Sequence, residues 1–222
     1  MFNAVIFDWD GTLADTHRVV VNSFQTVLRE VGCKVSDQFI QRKIGIGPRN
    51  TFVDALKTTK IPYTDKTIAR LIKKKIEIQM EQSESVTLFE GTYDLLDSLH
   101  GQVRIALASM NNRSVINKLL EKKRIRKYFD VVITTEEVRN PKPDPEIFIK
   151  CAAKLKCRPD RCVVVEDSIF GIKAAKEAKM KCIAIPTGAY SIEALEGQTP
   201  NLIVDSLSKK EDILNFILSE DH

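Results

Sequence analysis

The chain has 222 residues, 43 % hydrophobic and 29 % charged, which supports one large folded domain or two small ones and excludes disorder as the dominant state. Lys and Arg number 34 against 30 Asp and Glu, and the resulting net charge of +4 is too mild at this size to argue for a nucleic-acid partner. No stretch approaches the roughly 18 apolar residues of a membrane span, and no basic region precedes the first apolar run, so neither a membrane partner nor a secretory signal is expected.

Ala4 to Phe7 is short, apolar and β-branched, the pattern of a strand buried on both faces, and it runs directly into Asp8-Trp9-Asp10-Gly11. A long segment without strand signal follows. Val20, Phe24, Val27, Leu28 and Val31 recur at helical spacing, and Gly32 stops that helix. Ser36 is placed to cap a second helix and Pro48 to begin a third. Ile68, Leu71, Ile72, Ile76 and Met80 mark a fourth, capped by Thr64 or Asp65. From about residue 84 apolar runs alternate with amphipathic helices. The runs are Val103 to Ala108, Val131 to Ile133, Cys162 to Val165, Cys182 to Ile185 and Leu202 to Val204. This alternation predicts an α/β fold, a doubly wound parallel sheet with helices on both faces. Because the first strand precedes the helical segment, residues 1–15 and 84–222 are expected to form the core, with an α-helical bundle, 16–83, inserted as a cap. The five cysteines, Cys33, Cys151, Cys157, Cys162 and Cys182, are odd in number and lack a C-x-x-C pair. They fit reduced thiols in a cytoplasmic compartment rather than a zinc site or disulfide framework.

Sites in parallel α/β sheets form at the carboxyl ends of the strands. Here those ends deliver Asp8, Asp10, Gly11 and Thr12; then Ser109, Met110, Asn111 and Asn112; then Lys142 between two prolines; then Glu166, Asp167 and Ser168. Clustered acids repel one another, and a divalent cation relieves that repulsion. Oxygen donors without histidine or sulfur suit Mg2+, which takes a couple of carboxylates and keeps other positions for water and phosphate. Lys142 and the amides at a helix start complement a phosphate. Together these groups supply what phosphoryl transfer needs. A calcium loop starting at Asp8 is excluded, because Gly11 falls at the fourth position and Val19 at the twelfth.

The segments DWDGTLADT, ALASMNN, PKPDP and VVVEDSIFGIKAA, in this order, resemble the four motifs of the haloacid dehalogenase superfamily, and the match spans about two-thirds of the chain. The helical insertion after the first motif resembles the small cap of the phosphoglycolate phosphatase and β-phosphoglucomutase-like branch. The resemblance implies a role for each position. Asp8 would be the nucleophile forming an aspartyl-phosphate, and Asp10 the general acid and base. Lys142 would neutralise the phosphate and act with Asp8 and Asp10 in catalysis. Ser109, Met110 and Asn111 would bind the phosphoryl group. Asp8, the Asp10 carbonyl, Asp167 and Glu166 would hold Mg2+. Gly171 would let its helix start against the site. In the cap, Gly45, Gly47 and Arg49 resemble the substrate-specificity loop, with Arg49 reaching a charge on the substrate; Arg42 and Lys43 are weaker candidates.

The expected activity is therefore a Mg2+-dependent phosphatase of small phosphorylated metabolites, phosphoglycolate-like acids or sugar phosphates, in a monomer or weak homodimer. The alternative is a sugar phosphomutase of the β-phosphoglucomutase type. Those enzymes carry a histidine on the first cap helix where this chain has Val20, with His17 about one turn too early. Dehalogenation is disfavoured by Asp10 and Asp167, and a non-catalytic binding protein by the complete set of Asp8, Asp10, Lys142 and Asp167. The basic runs 70–75 and 122–127 are read as solvated helix faces, without the interleaved aromatics of a nucleic-acid platform. Trp9 is expected to pack away from its two flanking aspartates.

Overall fold

The structure, a computed structural model, describes residues 1–219. In chain order its elements are β1 (Ala4–Phe7), β2 (Ala14–Asp15), α1 (His17–Arg29), α2 (Asp37–Gln41), α3 (Pro48–Thr58), α4 (Asp65–Glu81), β3 (Thr87–Leu88), α5 (Thr92–Leu99), β4 (Arg104–Ala108), α6 (Arg113–Lys122), β5 (Val131–Ile133), α7 (Glu146–Lys154), β6 (Cys162–Glu166), α8 (Ile169–Glu177), β7 (Lys181–Ala184), α9 (Ile192–Glu196), β8 (Leu202–Ile203) and α10 (Lys210–Leu218).

Six strands form one sheet in the order β5-β4-β1-β6-β7-β8, every pair parallel. Alternate residues feed opposite faces. Val5, Phe7, Ile105, Leu107, Val163 and Val165 enter one apolar cluster with residues of α5, α6 and α10. Ala4, Ile6, Ala106, Ala108, Cys162 and Val164 enter the other, against α7 and α8. A sheet covered on both sides explains why its strands read as continuous apolar runs rather than alternating ones. Each fully buried large aliphatic side chain contributes about 1.5–3 kcal/mol by leaving water. Trp9 is wholly buried in the first of these clusters, and its indole N–H has no partner among the described residues. All five cysteines are free, and all but Cys157 are buried.

The order of the sheet places the site. β1 is central, with β4 on one side and β6 on the other. The chain moves outward through β4 and β5, then crosses to β6 and moves outward the other way. That reversal leaves a crevice beyond the carboxyl end of β1. Register aligns the ends, since Phe7 pairs with Leu107 and with Val165. Asp8, Ala108 and Glu166 therefore emerge at one level, with Ser109 one residue beyond.

Helices α1 to α4 surround a third apolar cluster that includes Val20, Phe24, Leu28, Phe52, Leu56, Ile68 and Leu71. Their ends follow local chemistry. Gly32 (φ +73°) turns the chain after α1, and the Ser36 hydroxyl accepts from the Phe39 amide at the start of α2. Pro48 opens α3, and Thr64 exchanges bonds with Thr67 in a capping box at α4. Where the chain enters and leaves this helical layer, β2 and β3 pair antiparallel, Ala14 with Leu88 and Asp15 with Thr87. Two-residue strands carry no hydrophobic periodicity, so the sequence gives no sign of this pair.

Candidate active site

Lys142 is the electrostatic centre. Its ammonium, wholly buried, donates to Asp8 Oδ1 at 2.5 Å, to Glu166 Oε1 at 2.6 Å and to the Ala108 carbonyl at 3.3 Å, with the Phe148 ring 4.9 Å away. Burial works against its charge; Asp8 and Glu166 outweigh that and hold the lysine charged, above its ordinary range. Glu166 is engaged at both oxygens, because Oε2 accepts from the Asp167 and Ser168 amides and the Ser168 hydroxyl. It fixes Lys142 and the turn after β6, and its Oε1, with a single hydrogen bond, stays beside the oxygens of Asp8 and Asp167. Gly171 is required here, since a Cβ at that position would fall on the Glu166 carboxylate.

Three carboxylates, Asp8, Glu166 and Asp167, bring oxygens within 4.8 Å of one another. One lysine cannot balance them. Burial, then the neighbouring acids, pushes Asp8 up to about 8 against the pull of Lys142. Burial, then Glu166 and Asp8, pushes Asp167 well above the usual carboxylate range. Lys142 takes Oδ1 of Asp8, and the Thr12 hydroxyl takes Oδ1 of Asp167 at 3.1 Å. Each carboxylate therefore keeps a second oxygen. Gly11 and Gly188 leave room around Oδ2 of Asp167, where a Cβ from either would collide. A buried, oxygen-only donor set with surplus negative charge fits a divalent cation.

Asp10 stands apart from that cluster. Its Oδ1 accepts from the Thr16 hydroxyl at 2.8 Å and from Asn111 Nδ2 at 3.3 Å, and its Oδ2 from the Ser109 hydroxyl at 3.3 Å. Gly11, at φ +89°, turns the chain directly after Asp10. The Ser109 oxygen also accepts from the Asn111 amide at 3.0 Å. Thr16, one of the donors, carried no distinguishing signal in the sequence.

The helical layer covers this floor. A cavity beside Asp10 is lined by Val20, Phe24, Lys43, Gly45, Gly47, Thr51, Lys75, Met110 and Asn111, among others. The Tyr190 hydroxyl donates to the Arg42 carbonyl at 2.7 Å, tying a core loop to the cap. The loop before α3 lines this cavity through Gly45 and Gly47, but Arg49 does not: it is exposed and pairs with Asp65 at 2.6 Å. As the residue after Pro48 at the start of α3, it points along the outside of the helix, which corrects its expected reach to substrate. The opposite correction applies to Lys75. Read as part of a solvated face, it is only 2 % exposed, its ammonium 3.2 Å from Asn111 Oδ1 and 5.2 Å from the Phe24 ring. The signal was present: Ile68, Leu71, Lys75 and Gln79 fall on one helical stripe, and these are the buried residues of α4.

Comparisons agree with this geometry. A carbohydrate-phosphate phosphatase of Thermotoga maritima is 30 % identical over 96 % of this chain and 97 % of its own. The fructose-1-phosphate phosphatase of Escherichia coli is 29 % identical over 83 % of this chain and 96 % of its own. The crystal structure of a β-phosphoglucomutase from Clostridium difficile superposes with a TM-score of 0.86 at 25 % identity, covering 99 % of this chain and all of that one. The family model described as haloacid dehalogenase-like hydrolase matches residues 5–185, so with its sheet, strand-end carboxylates and helical insertion this chain belongs to the haloacid dehalogenase-like hydrolases.

Proposed function

We propose that the chain is a phosphatase of small phosphorylated metabolites, phosphoglycolate-like acids or sugar phosphates, dependent on Mg2+ and working through an aspartyl-phosphate on Asp8. The observation that carries this reading is the pairing of Asp8 with a buried, charged Lys142 while Asp10, two residues on, is held separately by neutral donors. One carboxylate is aimed and charge-compensated; the other is free to exchange a proton.

In the first step an Asp8 oxygen attacks phosphorus, and the bond from phosphorus to the leaving oxygen breaks. Lys142 offsets the repulsion between the carboxylate and the phosphate. Asp10, in its acid form, gives its proton to the leaving oxygen. In the second step Asp10 takes a proton from water, whose oxygen attacks the phosphorus of the acyl phosphate and releases Asp8. A divalent cation bound by Asp8, Asp167 and the Asp10 carbonyl would withdraw charge from the phosphoryl oxygens. Ser109, the Met110 amide and Asn111 would hold those oxygens, at the start of α6.

The cavity beside Asp10 has a volume of about 20 Å³, room for one water-sized group beneath the helical layer. Among the described residues its lining includes Val20 and no histidine. Apolar methyl groups there cannot pass a proton, which favours hydrolysis over the mutase alternative. Phosphate release from an aryl phosphate and a panel of small phosphate esters tests the reading. Release should require Mg2+, stop with chelator and be absent in Asp8→Asn. Metal-independent release, or full activity in Asp8→Asn, would overturn it. Isomerisation of a sugar phosphate primed with its bisphosphate, without phosphate release, would establish the mutase instead.

A further inference from the structure

His17 opens α1 beside the first turn of the site, and one of its two nitrogens is left over. Nδ1 faces the Asp15 carboxylate at 3.6 Å. Nε2 is buried and has no hydrogen-bond partner among the described residues. The carbon between the two nitrogens, Cε1, looks toward the acidic side of the floor. A single point beside Gly11, where that residue lacks a Cβ, lies 3.1 Å from Cε1 and 2.4 Å from Asp167 Oδ2. A carboxylate opposite Nδ1 favours the ring proton there, which leaves Nε2 presenting its lone pair. The His17 ring and the Asp167 carboxylate thus approach the same small space, and two acceptors cannot satisfy each other.

We propose that His17 Nε2 accepts a hydrogen bond from a water on the divalent cation held by Asp8 and Asp167, which makes His17 a positioning residue for the metal. The inference rests on the reading of those carboxylates as a Mg2+ site. A water that ligates through its oxygen still has protons to donate, so it can join the cation to a lone pair on the ring. Direct ligation is disfavoured: oxygens of Asp8, Glu166 and Asp167 lie within 4.8 Å of one another, and no His17 nitrogen joins that set. Mg2+ gives up its waters reluctantly and keeps several of them, so contacts to those waters are a natural way for a protein to fix its orientation. Holding one water in place also settles which positions are left for the phosphate.

Metal binding, read without turnover, tests the proposal. Mn2+ serves as the probe, because oxygen sites accept it in place of Mg2+ and the free ion is counted by electron paramagnetic resonance. His17→Leu, which removes both nitrogens, should weaken Mn2+ binding about tenfold. His17→Gln, which returns an acceptor oxygen near the Nε2 position, should stay within about threefold of the wild type. In long-range 1H–15N spectra of the wild type, added Mg2+ should shift His17 Nε2 more than Nδ1. It should leave His100, at the amino end of β4 and away from the site, in place. An imidazole with a merely structural role would show no such difference between its nitrogens. Unchanged Mn2+ affinity in His17→Leu, equal losses in His17→Leu and His17→Gln, or an unmoved Nε2 would overturn the proposal. So would a strong 14N coupling to bound Mn2+, which would make His17 a direct ligand. A wild type that binds no Mn2+ overturns the metal site and this proposal with it, while tight binding with a silent Nε2 overturns the proposal alone and leaves the phosphatase reading standing.

Discussion

The floor and the roof of the site are built on different principles. On the floor, the chemical groups leave the carboxyl end of a parallel strand or the loop after it, and backbone register brings Asp8 and Glu166 to one level, with Ser109 one residue beyond. On the roof, position depends on which way a helix faces and how far a side chain extends. Lys75 crosses from α4 to Asn111, while Arg49, only two residues beyond Gly47, turns to Asp65 on the outside. Chemistry placed by the sheet tolerates little variation. Contacts placed by helix faces each depend on a single side chain.

Substitutions sharpen that contrast. The largest effect should come from Asp8→Asn, which removes the nucleophile and should lower kcat by about ten-thousand-fold or more with the fold intact by circular dichroism. Lys142→Ala follows. It strands Asp8 and Glu166 as buried, unpaired carboxylates, and denaturant melts should show a loss of ~3–5 kcal/mol along with activity. A stable, active Lys142→Ala would break the claim that the floor is a single electrostatic unit. Gly171→Ala drives a methyl group onto Glu166 and should cost about 1–3 kcal/mol, with activity falling because Lys142 shifts with its partner.

The roof should respond more quietly. Burial lowers Lys75 from 10.5 to about 8, against the pull of Asp10 and Glu136. Between those values the unfolded chain holds a proton that the native chain has lost, so this group's contribution makes stability rise with pH. The melting temperature of the wild type, relative to Lys75→Met, should therefore climb from pH 8 toward 10.5. A flat difference would mean that the lysine is not buried in solution. Arg49→Ala should do least, changing kcat/KM less than about threefold, because an exposed ion pair is screened.

The same division explains what could be read from the sequence. β1, β4 and β6 are apolar on both faces and end in polar turns, so the strands and the groups they carry are visible together. Gly171 was legible for the same reason, as a helix start too close to the sheet for a side chain. Lys75 and Arg49 were misread in opposite directions because both are cations on helices, and composition does not say which face is covered. Glu166 was visible as an acid at a strand end. That Lys142 and two amides would claim both its oxygens depends on contacts 24 residues apart and on the turn that follows. The β2–β3 pair left no trace, since two residues are too few to show a period.

That pair has a mechanical consequence. A cap tethered by one strand of chain could swing in any direction, and one tethered by two independent strands could also splay them. Here the outgoing and returning segments are hydrogen-bonded into a ribbon, Ala14 to Leu88 and Asp15 to Thr87, and the Leu13 carbonyl accepts from the Phe89 amide at 3.0 Å just below. A two-stranded ribbon resists stretching and shear in its plane but bends across its face and twists about its length. Any movement of the helical layer relative to the sheet would thus be steered by this ribbon into bending and twisting about it.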